Sequence, residues 1–235
     1  MCVAGVIAFS SAKGNKQDSW RYRISVEIMT REGLKTGRSV WETYHEETPV
    51  SKIHNLKEQF YRGEAVAVDL GDRGTLFALM RGANGRAWLQ QVLLWTIPFQ
   101  EEKPGSISES QRNYIDYYSN LAGVKKDLIP AHYPMLVHFR DINDPNTIES
   151  VYERKSGSFN DMKEIKIDRL EEVFGSDVKI NSISIEMTHD PIDWNLEDYL
   201  PWISSIDKDE LRQKMRHIHV TNWLRYEDFR QGHKL

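Results

Sequence analysis

Acidic and histidine side chains crowd one stretch of this 235-residue chain. Glu186-Met187-Thr188-His189-Asp190 is followed closely by Asp193, Glu197 and Asp198. Carboxylates beside an imidazole are what general acid–base catalysis or a divalent-metal site requires. Glu186, His189, Asp190 and Asp193 are therefore the candidate catalytic or ligating residues. They would make the chain a metal-assisted or carboxylate-dependent hydrolase working through the Glu186–Asp198 loop. The same residues also have a purely electrostatic account. Ten acidic against three basic side chains lie between Glu164 and Ser204, so a solvated acidic face explains the cluster, with Asp190 capping the turn at Pro191. Strand alternation sends Glu186 and Thr188 to one face and Met187 and His189 to the other. Only a tight fold-back at Pro191 would unite them, and the expectation is that they form no metal site.

His217 and His219 are the other candidate ligands. On a strand they would share a face, as zinc ligands do, whereas on a helix they diverge by roughly 200°. Asp207 with Glu210 has the spacing of a capping box, which favours a helix running through His217. His138, inside Met135-Leu136-Val137-His138-Phe139, alternates with apolar neighbours and reads as a half-buried strand residue. Arg140, Asp141 and Asp144 read as the groups that hold the turn after it. Trp194, Trp202 and Trp223 would serve either as core or as a platform for carbohydrate or peptide. Phosphate-binding glycine loops and the G-x-S-x-G elbow are missing, so nucleotide binding by those loops and nucleophilic hydrolysis are not expected. Cys2 is the single cysteine; it allows no internal disulfide and lies beside no identified base. No cofactor is expected. The net charge of −4 argues against a general nucleic-acid binder.

The elements that position these residues follow from periodicity. Trp20, Tyr22, Ile24, Val26 and Ile28 alternate with polar residues, which predicts a half-buried strand, with Gly37–His45 returning beside it. Thr48–Tyr61 reads as a connection. Glu64–Leu70 and Thr75–Met80, separated by Gly71-Asp72-Arg73-Gly74, predict a hairpin; both runs are apolar on both faces, which places it in a sheet's interior. Trp88–Ile97 predicts a short helix stopped by Pro98. Ser108 with Gln111 suggests the capping box of a second helix, carrying Tyr114, Tyr117, Tyr118 and Leu121 and ended by Gly123. Met135–Phe139 reads as a strand with Thr147–Tyr152 pairing back, and Arg154–Asp161 as a loop. Asp168 with Glu171 predicts a further capping box, closed by Gly175. Between Val178 and Met187 the alternation changes phase at Asn181-Ser182, the mark of a β-bulge. A last helix starts at Asp207, with Leu211, Met215 and Ile218 inward. Nothing repeats at a fixed period. The whole reads as one α+β domain over residues 20–235, a mostly antiparallel sheet with three or four packed helices.

Several segments taken together resemble a known family. They are Gly63–Gly71, Thr75–Leu79, Tyr133–Val151, Val173-Phe174-Gly175, Ile183–Pro191 and Leu200-Pro201-Trp202. Their order is similar to that of a family of bacterial proteins without an assigned activity, many of which open with an export or membrane-anchor segment. The chain departs from that pattern in running on past Trp202 and in its Trp88–Ala122 helical insert. Cys2–Phe9 is apolar but too short to span a bilayer. Residues 1–19 are either the tucked end of a soluble domain or the remnant of an anchor, and the resemblance favours the anchor and a cell-envelope or periplasmic location. The expected function is a non-enzymatic binding or assembly protein whose partner is an unknown protein or small ligand. It would meet a membrane only through that anchor.

Overall fold

A computed structural model describes residues 18–85, 88–101, 103, 105–155, 165–215 and 224–232. In chain order the elements are β1 (Ser19–Thr30), β2 (Gly33–Glu46), α1 (Pro49–Ile53), β3 (Glu58–Glu64), β4 (Val66–Asp69), β5 (Thr75–Gly82), α2 (Trp88–Thr96), α3 (Ile107–Ser119), β6 (Lys125–Asp127), β7 (Pro134–Phe139), β8 (Ile148–Lys155), β9 (Ile165–Asp168), α4 (Leu170–Phe174), β10 (Lys179–Thr188), α5 (Lys208–Lys214), α6 (Tyr226–Phe229) and β11 (Arg230–Gln231). They build two antiparallel sheets, one ordered β11-β3-β2-β1-β10-β6 and the other β4-β5-β7-β8-β9. The α+β class is as the periodicity implies, but six helices, not three or four, occur among the described residues.

The alternation in β1 sets the first layer. Trp20, Tyr22, Ile24, Val26 and Ile28 are all buried and join one core with Val66, Val68, Leu76 and Ala78 of the second sheet. The chain crosses between sheets at Ala65, where β3 gives way to β4, and this closes one side of the sandwich. Gly37 lies directly under the Ala67 carbonyl, where any side chain would collide, so β2 and β4 approach backbone to backbone. Among the described residues the opposite side stays open: β6 pairs with β10 only at Ser184–Glu186, and β9 has a strand on one edge only.

The second sheet is covered twice. Phe77, Leu79, Val137, Phe139 and Ile148 point away from the first sheet into another core, closed by Leu196, Leu200, Ile203, Leu211, Met215 and Phe229. The segment beyond Trp202 is thus a third layer. This explains why both arms of the predicted hairpin are apolar on both faces. The hairpin does form, with Val66, Val68, Phe77 and Leu79 at zero exposure, but β4 is the sheet's edge strand rather than an interior one. It is sealed by packing against β2, not by hydrogen bonding.

Local details differ in instructive ways. Thr48–Tyr61 is not a bare connection: it holds α1 and most of β3. The cap of α3 is Ser106 with Glu109, each side chain bonding the other's backbone N–H, two residues ahead of the predicted pair. Ser106 has the extended backbone a cap needs, and Gln111 instead grips Lys57, accepting from its N–H at 2.9 Å and donating to its carbonyl at 2.8 Å. The helix ends at Asn120, short of Gly123. Asp168 ends β9 and caps nothing; α4 follows Arg169 without a side-chain cap and stops at Gly175. The bulge lies where the phase slip put it: pairing passes from Glu27–Ser182 to Ile28–Ile180, leaving Asn181 extra. Asp207 caps α5 by accepting from the N–H groups of Asp209 and Glu210, but that helix ends at Lys214. Cys2, the loop positions 156–161, His217, Ile218, His219 and Trp223 lie outside the described residues.

Candidate functional site

Structure divides the acidic loop. Glu186 and Asp190 do meet, but over Arg23 of the neighbouring strand: Nη1 of Arg23 donates to Glu186 Oε2 at 2.8 Å, and Nη2 contacts Asp190. Both carboxylates are committed to one guanidinium on the outer face of the first sheet. His189 is exposed and borders a small pocket of about 110 Å³ with Trp20, Tyr118 and Thr188, on the other side of the strand end. The hydroxyl of Thr188 accepts from the N–H of Asp190 at 3.1 Å, which holds the turn. Asp193 and Asp198 are exposed. Glu197 belongs to a different group, accepting from Arg230 Nη1 at 2.9 Å. Among the described residues no three His, Cys, Asp or Glu are placed to hold a metal ion.

The remaining candidates have structural partners. His138 Nδ1 is 3.2 Å from the Thr75 carbonyl, and its ring meets Phe174 edge-on at 5.0 Å. Asp141 and Asp144 accept from the N–H groups of Asn143 and Asn146, both at 2.9 Å, and so build the turn. Trp202 donates from Nε1 to the Ile142 carbonyl and, partly buried, packs on Phe139 and Phe229 against the second core. Trp194 is 38% exposed.

The open seam between the sheets leaves no mark in the periodicity of any one strand. A cleft of about 610 Å³ lies there, lined by Tyr133 and Tyr152, by Lys166 and Asp168 of β9, by Leu170, and by Val178, Lys179 and Ile180 at the start of β10. Such a volume is typical of small-molecule sites, which favour the mouths of barrel-like sheets. Val178 and Leu170 are buried and give the cleft an apolar floor. Tyr133 and Tyr152 stand 5.8 Å apart as walls, and Tyr152 donates to the Pro130 carbonyl at 3.1 Å. Burial pushes both tyrosine hydroxyls above their ordinary range, so they remain protonated donors at neutral pH. Lys166 lies 5.4 Å over the Tyr152 ring and 3.0 Å from Asp168; the hydrogen bond to that carboxylate raises its affinity for the proton. Lys179 faces Glu171 at 3.9 Å across the rim. An apolar floor under a rim of paired charges and phenol donors suits a molecule with an apolar body and a polar head.

Two buried ion pairs, also undetected in the sequence, fasten the third layer. Glu64, fully buried, pairs with Arg230 and accepts from the N–H groups of Asn195 and Leu196 at 2.7 and 2.8 Å. Arg81 pairs with Asp228 at 3.3 Å, both side chains almost wholly enclosed. The chain matches no family model, no curated protein and no solved structure.

Proposed function

We propose that the chain is a non-enzymatic binding or assembly protein of the bacterial cell envelope, and that the cleft between the two sheets is its ligand site. The single observation that carries this reading is that cleft: apolar at the floor, phenolic on the walls and charge-paired at the rim. The commitment of Glu186 and Asp190 to Arg23 also favours binding over hydrolysis, because both carboxylates already engage one guanidinium on the sheet's outer face and do not converge with His189 on a shared pocket. The envelope placement rests on the apolar Cys2–Phe9 stretch and the family resemblance. Among the described residues no helix is long and apolar enough to cross a membrane.

The test is a thermal melt with octanoate, octylamine and octyl glucoside, which share an apolar body and differ in head group. A ligand held at hundredfold excess over its Kd raises the midpoint by roughly 5–10 °C in a domain of this size. Ile180→Trp fills the cleft from β10 and should leave the unliganded midpoint nearly unchanged while removing that rise. If none of the three probes shifts the parent, or if Ile180→Trp shifts as the parent does, the reading is wrong.

A further inference from the structure

A second cleft, of about 370 Å³, lies at the other edge of the six-stranded sheet, between β3, β11 and the α5–α6 pair. We propose that it is a separate carbohydrate site, taking a sugar ring against Phe60. Two observations point to that class. First, Phe60 stacks on Tyr44 of the adjacent strand at 5.5 Å and 27°, and Arg62 lies over the Tyr44 ring at 4.0 Å. These contacts hold Tyr44 and steady Phe60 as an apolar platform of the kind that the C–H face of a pyranose covers. Tyr226 also lines the cleft, with Lys208 over its ring at 4.9 Å.

Second, the polar lining is mixed in kind and balanced in charge. Lys208 and Glu227 lie 3.6 Å apart, and Arg230 is neutralised beneath by Glu64. The amides of Gln59 and Gln231 add donors and acceptors; Gln59 donates to the Tyr61 hydroxyl at 2.6 Å and Gln231 to the Glu227 carbonyl at 3.0 Å. A ligand with many hydroxyls and no net charge matches such a set, because each hydroxyl both donates and accepts. An anion would find no surplus of cations here, and a purely apolar ligand would strand the amides.

This site is independent of the cleft between the sheets, so either could fail alone. The experiment is saturation-transfer NMR on the full chain with glucose, galactose, N-acetylglucosamine, cellobiose and chitobiose, with tetra-alanine as a peptide probe. At least one sugar should receive saturation on its ring protons. Phe60→Ala should weaken that sugar's apparent Kd roughly fivefold, the size of one lost aromatic contact. Gln231→Ala, which leaves the platform intact, should weaken it as well, and Ile180→Trp should have no effect. Melting midpoints of all three variants show whether the fold is retained, and Gln231→Ala carries the test if Phe60→Ala disturbs it. The proposal is overturned if no sugar receives saturation, if transfer survives both cleft variants in folded protein, or if tetra-alanine alone responds.

Discussion

Two of the places where this molecule joins carboxylates to an arginine could hardly differ more. At the end of β10, Glu186 and Asp190 share Arg23 at the surface, with Asp190 more than half exposed. At the junction of β3 and β11, Glu64 meets Arg230 with both side chains essentially out of water. The first group is dense in the sequence and loose in space. The second pairs Glu64 with Arg230, 166 positions further along the chain, and is enclosed. Local density of charge marks a solvated face, since an apolar layer cannot enclose many charges at once. A lone acid at the head of an apolar run, as in Glu64-Ala65-Val66-Ala67-Val68, is the better sign of a buried charge that needs a partner.

Replacements of graded severity sharpen that contrast. The largest effect is expected from a carboxylate placed in the core with no arginine at all. Val68→Asp buries an unpaired charge between the sheets and should abolish folding, read as loss of the cooperative melt and of near-ultraviolet circular dichroism. Next comes Arg230→Met, which leaves Glu64 enclosed without its cation. The cost should be about 3–5 kcal/mol by urea denaturation, and Glu64→Gln combined with Arg230→Met should recover part of it. Arg23→Ala, by contrast, should cost at most about 1 kcal/mol, as exposed pairs do. Equal losses for Arg230→Met and Arg23→Ala would erase the distinction between the two regions.

Much of this organisation is legible in the residues themselves, and the reasons for the rest are physical. Period-two alternation located β1 and β2, and the phase slip at Asn181 located the bulge, because both are local consequences of which face is buried. The hairpin's burial was equally plain, but not its place at a sheet edge: packing of β4 on β2 hides apolar side chains as well as an interior position would. The α3 cap at Ser106 lies two residues before the pair that the spacing suggests, and α4 follows Arg169 with no side-chain cap at all, because several nearby polar residues satisfy the same spacing. The clefts were not legible at all. Tyr152, Lys166 and Ile180 lie on strands of different sheets, and no periodicity within one strand reports the gap between two.

The smallest effects concern pH. Asp177, half-buried beside the β1–β2 turn, accepts from Arg73 and from the N–H of Arg31, and the Arg73 guanidinium holds its carboxyl far below the usual range. A depressed folded pKa means that its stabilisation is complete above the ordinary value near 3.9 and is lost as pH falls toward the folded one. Asp177→Asn should therefore flatten the stability curve only below about pH 4. His45, buried against Trp20 at 5.1 Å, is shifted down by burial. Its unfolded form takes up a proton first, so stability should decline as pH falls below about 6.5, and His45→Gln should remove that decline.

The central claim is that the open seam between the sheets binds a ligand while the acidic loop does not. Amide chemical-shift mapping with octanoate on isotope-labelled protein tests it most directly. The expected result is saturable shifts confined to Tyr133, Tyr152, Lys166, Asp168, Leu170 and Val178–Ile180, absent in Ile180→Trp. Shifts centred on Glu186–Asp193, or none at any concentration, would contradict it.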